Sequence, residues 1–123
     1  MRRSEQRRAA VVALYQEDVT AREPEPAGTE FTRELVEGVR REREGLDALI
    51  ERHSTGWTLD RIAPLERNIL RVALFELLHR PDVPTEVAID EAVEAAKELC
   101  SADAPGFVNG VLGAVAREVA AAR

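Results

Sequence analysis

Cysteine is nearly absent from this chain. Cys100 is the only one in 123 residues, so no disulfide can close within it. Histidine is scarce too, and His53 and His79 stand too far apart to supply a zinc-ligand spacing. No metal or other cofactor is expected. No apolar run approaches the roughly 20 residues that a bilayer-spanning helix needs. The N-terminus is charged where a signal peptide carries its apolar core, so the expectation is a cytoplasmic protein with no membrane partner. Strand-like alternation of polar and apolar residues is missing, as is any internal repeat. A glycine-rich cofactor loop following a strand is also missing, which argues against an enzyme. Lysine occurs once, at Lys97, against sixteen arginines; that reads as coding bias or thermal adaptation and carries no functional weight.

What the chain has in abundance is charge and helical periodicity. The formal net charge is −6, and a wholly acidic surface repels phosphates. The distribution is uneven, however. MRRSEQRR sets Arg2, Arg3, Arg7 and Arg8 against the single acid Glu5, giving a basic tip on an acidic body. Such a tip is either a nucleic-acid contact or a solvated charge cluster. Residues 1–123 fit one domain.

Five main helices follow from the spacing of apolar residues. The first runs from about Ser4 to Asp18, with Val11, Val12, Leu14, Tyr15 and Val19 on one broad face. AREPEPAGTE then reads as a solvated loop. FTRELVEGVRREREGLDALIERH turns Phe31, Leu35, Val39, Leu46, Leu49 and Ile50 inward. In the connection STGWTLDRI, Thr58 is placed to cap a turn and Trp57 to fill a gap between helices.

The segment from Pro64 to Pro81 is apolar on nearly every side between Ile69 and Leu78, as a central helix must be. Arg71 and Glu76 interrupt it, either as internal ion pairs or as contacts for a second protein. TEVAIDEAVEAAKELC is amphipathic, with Thr85 as a candidate N-cap. The last helix opens with Asp103 as cap and Pro105 in the first turn, and buries Val108, Val111, Leu112, Val115 and Val119. Gly110 and Gly113 interrupt it at a cost of about 1 kcal/mol each, a cost that close approach of a neighbouring backbone would offset. Phe107 lies at the edge of the buried stripe, where a ring is either core or a stacking platform for a base.

RRSEQRRAAVVALYQ, FTRELVEGV, WTLDRIAPLERNILRVALFELL, DVPTEVAIDEAVEAAKELC and PGFVNGVL together resemble the NusB family, in order and over essentially the whole chain. The resemblance implies an all-α fold of about seven helices in two small three-helix bundles. It further implies a transcription antitermination factor that binds single-stranded boxA RNA of nascent ribosomal RNA leaders beside the ribosomal protein NusE, and acts with NusA, NusG and RNA polymerase. Carried over by position, the RNA contacts are Arg2, Arg3, Arg7, Tyr15, Asp103, Phe107 and Asn109. Those to NusE are Glu66, Arg71, Phe75 and Glu76, with Phe75 replacing the family's usual tyrosine.

Arg3 and Arg7, four apart on one helix, repel each other unless a polyanion arrives. The cations and Phe107 are expected at one pole, with carboxylates elsewhere. Two other classes stay open: a protein-only helical adaptor or homodimer, and an RNA-binding module like those fused to ribosomal RNA cytosine methyltransferases. A chain ending at Arg123 leaves no room for a methyltransferase domain.

Overall fold

The structure is a computed structural model that describes residues 2–22 and 28–122. Among these residues there are five α-helices and no strand: α1 (Arg3–Thr20), α2 (Glu30–His53), α3 (Pro64–His79), α4 (Thr85–Leu99) and α5 (Ala104–Ala121). A single 3-10 turn, Leu59–Arg61, joins α2 to α3. The fold class is all-α, as expected, but the count is five rather than about seven in two bundles. α2 runs unbroken for 24 residues, and the three-residue turn before α3 buries nothing. The loop anticipated at residues 23–27 lies outside the described residues.

Each helix begins where local chemistry favours it. Thr29 caps α2, its hydroxyl accepting the Thr32 amide at 3.3 Å. Pro64 opens α3 and needs no amide partner there. Three expected caps are not made. Thr58 precedes the 3-10 turn, but its hydroxyl donates to Asp60 Oδ1 at 2.5 Å and accepts no amide. Thr85 lies inside α4, behind Pro84, and Asp103 precedes α5 in a helical backbone conformation with its carboxylate capping nothing.

α3 is the axis of the fold and touches each of the other four helices. Its residues from Asn68 to Glu76 are all buried, which is what an apolar run without a polar face requires. Contacts between Arg7 and Glu76, and between Asp18 and Arg67, set α1 antiparallel to α3. α1 buries Ala10, Val11 and Leu14, whereas Val12 and Val19, expected inward, are 40% and 57% exposed. Val12 lies about 100° around the helix from Val11, outside the stripe facing α2 and α3.

The glycine that admits a close neighbour is Gly38, on α2. A Cβ there would stand 2.2 Å from Cζ of Phe75 and 2.4 Å from its Cε1, so the Phe75 ring occupies the space. Gly110 and Gly113, expected to let a backbone approach, do not. A Cβ at Gly110 meets nothing within 4 Å, and one at Gly113 meets only the Arg117 side chain at 3.5 Å. We expect Gly38→Ala to destabilise the fold by about 1–3 kcal/mol through overpacking, while Gly110→Ala stabilises it by about 0.5–1 kcal/mol through helix propensity. Urea unfolding followed by circular dichroism checks both signs; a neutral Gly38→Ala would mean that the Phe75 ring moves aside freely.

Candidate nucleic-acid and partner interface

At the N-terminal end of α1 the arginines are not a free basic tip. Arg7 is buried, its Nε donating to Glu76 Oε1 at 2.8 Å and its Nη2 to Oε2 at 2.9 Å. Arg8 pairs with Glu98, and its Nη1 donates to the Ser4 carbonyl at 3.1 Å. Arg3 lies 4.2 Å from the centroid of the Phe31 ring, which Arg80 and Arg7 also flank at 5.2 and 5.5 Å. Cations over a ring face are held by its quadrupole. Arg80 in turn pairs with Glu34 and Asp82, so cations and carboxylates alternate through the cluster. The Arg80 guanidinium and the Asp82 backbone hold the Asp82 carboxyl down at about 2.

The supposed repulsion between Arg3 and Arg7 is therefore absent, because each has its own carboxylate. They differ in how firmly it is held. Arg7 is enclosed in a bidentate pair that takes its Nε and Nη2, while its Nη1 lies 3.9 Å from Glu91. Arg2 and Arg3 sit at 3.4 and 3.5 Å from Glu5 and Asp82, with side chains 85% and 49% exposed. Such solvated pairs are weak and exchange readily for another anion. Tyr15 is half-buried, eight residues beyond Arg7 on the same face of α1.

The residues assigned to a protein partner fall mostly inside. Arg71, Phe75 and Glu76 are all buried. Arg71 grips both oxygens of Asp47 at 2.7 and 3.0 Å, and reaches Asp18 at 2.9 Å. The same Asp18 oxygen accepts the Asn68 amide at 2.8 Å and Arg67 Nε at 3.2 Å. Burial acts to raise the pKa of Asp18; the Asn68 amide, Arg71 and Arg67 outweigh it and hold the carboxyl below its ordinary value of 3.8. Of the two alternatives for Arg71 and Glu76, the structure makes them internal ion pairs. Phe75 packs on Gly38.

Glu66 alone of that group lies at the surface, half-buried, and it lines a groove together with Asp103 and Phe107. Burial, and then the charge of Asp103, raises the Glu66 carboxyl above its ordinary range. Burial, with the Glu66 charge second, pushes the Cys100 thiol up to about 11. Phe107 is half-buried against the core, and Asn109, two residues on and about 200° around α5, is exposed.

This geometry overturns the single pole. Arg3 reaches Asp82, just beyond the end of α3, whereas Phe107 shares its groove with Ala63 and Glu66 at the start. The 16 residues of α3 span about 24 Å. Cations and ring stand at opposite ends of α3, and the ring keeps company with carboxylates. Among the described residues no group of three potential metal ligands occurs, and no helix is long and apolar enough to cross a membrane.

The sequence profile described as the NusB family matches residues 3–117, nearly the whole described chain. The chain belongs to the NusB family. A transcription antitermination protein NusB from Myxococcus xanthus is 50% identical over 92 residues, which are 75% of this chain and 66% of that one. A NusB structure from T. maritima superposes with a TM-score of 0.87 at 33% identity, over 96% of this chain and 92% of that one. A third similar chain belongs to a crystal structure of the antitermination factors NusB and NusE in complex with double-stranded RNA. Its TM-score is 0.82 at 27% identity, over 96% of this chain and 99% of that one.

Two expectations follow from the buried pairs. Arg7→Ala should destabilise the fold by about 3–5 kcal/mol, because Glu76 is left enclosed without its cation, whereas Arg7→Met combined with Glu76→Leu should come close to wild type. Equal unfolding midpoints for the single variant and wild type would remove the structural role of Arg7.

The second concerns acid. Since the Asp18 carboxyl titrates lower in the fold than in the open chain, its contribution is complete at neutral pH. It is lost as the pH falls below 3.8 through the folded value. Between pH 6 and pH 3, wild type should therefore lose more stability than Asp18→Asn. Parallel losses in urea titrations would show that Asp18 has no such linkage.

Proposed function

We propose that this chain is a transcription antitermination factor, a binding module and not an enzyme. It takes boxA-type single-stranded RNA of nascent ribosomal RNA leaders, together with NusE, in the cytoplasm, and feeds a larger complex with NusA, NusG and RNA polymerase. Residues 1–123 serve as one RNA-binding domain. The observation that carries this reading is the likeness, over 96% of the chain, to a NusB solved with NusE and RNA.

The surface chemistry supports RNA binding at two separated places. Arg2 and Arg3 hold their acids loosely enough to hand them over for phosphates. Phe107 offers a half-exposed ring with open space beside it, suited to stacking an unpaired base. A strand at the stacked spacing of about 3.4 Å per nucleotide covers the length of α3 with about seven nucleotides. Asp103, which lines the groove with that ring, supplies an acceptor for base edges, and Asn109, exposed on another side of α5, offers an amide outside the groove. Arg7 contributes by position, since its pair with Glu76 holds the first turns of α1 against α3.

For NusE, Glu66 and the exposed carboxylates of α4, Glu86, Asp90 and Glu94, present an acidic surface to a basic protein and steer its approach. Arg71, Phe75 and Glu76 act behind that surface by fixing α3.

Phe107→Ala should weaken binding of a fluorescently labelled single-stranded leader RNA by about 1–3 kcal/mol, and weaken a duplex less. Arg2→Ala with Arg3→Ala should flatten the dependence of log affinity on log salt by about 1.4, without altering the helical signal. Fluorescence anisotropy with and without NusE measures both. RNA affinity and salt slope unchanged in both variants would sink the reading, and binding to NusE without binding to RNA would favour a protein-only adaptor.

A further inference from the structure

Trp57, expected to fill a gap, is 52% exposed, the one aromatic among the exposed large hydrophobic side chains. Its backbone is nonetheless fixed. The buried Ser54 donates its hydroxyl to the Trp57 carbonyl at 2.8 Å, and the Trp57 amide donates to the Ser54 carbonyl at 3.2 Å. Two residues on, the Leu59 amide donates to Glu51 Oε2 at 3.1 Å. The connection between α2 and α3 is tied down while its largest side chain is left in solvent, so the ring is presented rather than loose.

Two grooves, of about 310 and 390 Å³, meet at this ring, and both Trp57 and Phe107 line both of them. Arg61 stands on the first and Arg117 on the second. Neither has an ion-pair partner among the described residues, whereas Arg2, Arg3, Arg7 and Arg8 each have one. The second groove runs along one face of α5, past Gly106 and Gly110, where a Cβ would meet nothing within 4 Å. Gly110, whose cost went unexplained by packing, therefore leaves this groove open together with Gly106.

One exposed ring, one half-buried ring, two guanidiniums without ion-pair partners and a clear channel between them match the repeating unit of a single nucleic-acid strand, a flat base alternating with an anion. A peptide has no reason to need that alternation. Asp103 repels phosphate in the first groove and accepts from the exocyclic amines of a base, which assigns base to that side and backbone to the arginines.

Resting on the RNA-binding reading above, we propose that Trp57 is a second stacking residue, and that the strand continues from Phe107 over Trp57 with its phosphates held by Arg61 and Arg117.

Trp57 is the chain's only tryptophan, so its emission reports this site without assignment. The probe is a labelled single-stranded boxA RNA oligonucleotide titrated into the full chain, alone and with NusE, while RNA anisotropy and tryptophan emission are read together. Emission measured with an unlabelled copy of the RNA should be quenched along the same isotherm as the anisotropy. Trp57→Ala should weaken binding about tenfold, Trp57→Phe should retain most of the affinity, and Arg61→Ala with Arg117→Ala should lower the salt slope by about 1.4.

Binding seen by anisotropy with Trp57 emission unmoved and all these variants at wild-type affinity would overturn the second site and leave the function standing. No anisotropy change under either condition would overturn both. Quenching by NusE and not by RNA would assign the grooves to protein and overturn the proposal.

Discussion

A guanidinium and a carboxylate, Arg7 and Glu76, are enclosed together between α1 and α3, with side chains 9% and 1% exposed. At the other end of the same helix pair, Asp18 of α1 takes Arg67, Asn68 and Arg71 of α3. The signs are reversed between the two ends, so a slip of one residue in either direction leaves a charge buried without its partner. Apolar contacts alone tolerate such slips far better, because leucine and valine are satisfied by any dry neighbour. Buried pairs of this kind add little net stability over apolar replacements; their weight lies in excluding other arrangements.

That constraint explains the surface. The chain spends its N-terminal arginines on its own carboxylates, so the charge pattern read along the sequence is not the pattern presented in space. Glu76, Glu91 and Glu98 are far from Arg7 and Arg8 in sequence and adjacent in the fold. Among the cations left with loose pairs or none are Arg2 and Arg3 at one end of α3 and Arg61 and Arg117 near the other. A net charge of −6 does not exclude an anionic ligand, because local groups rather than the sum set the field that such a ligand meets.

The helices were legible because their signals are local. Pro64 at the start of α3 and apolar residues at three- and four-residue steps act within a turn or two, and the expected boundaries agree with the observed ones to within about two residues. The NusB likeness was legible for a similar reason, through several short segments in register. What the letters concealed was pairing across the chain. Arg7 to Glu76 spans 69 positions, and Gly38 beneath Phe75 spans 37. Gly38 and Gly110 are alike as glycines within helices, and only the neighbour, a ring in one case and open space in the other, separates their roles. Trp57 was misread on a sound generality about buried tryptophan, because the hydrogen bonds that pin its backbone and leave its ring outside are invisible in STGWTLDRI.

α3 ties these separate features into one device. Its last turns carry Glu76, which fixes the start of α1 and so the position of Arg2 and Arg3. Its first turn carries Glu66 in the groove below Phe107, a few residues after Arg61 and Ile62 of the pinned connection. Between them Arg71 and Phe75 bind it to α1 and α2 through Asp18, Asp47 and Gly38. Any ligand that touches both ends must match the length of this one rigid helix, about 24 Å. A flexible single strand adjusts its own spacing to meet that length at little cost, whereas a stiff duplex must bend or lose one of the contacts. With Arg2 and Arg3 at one end of α3 and Phe107 at the other, a single compact site is excluded, and only an extended ligand reaches both.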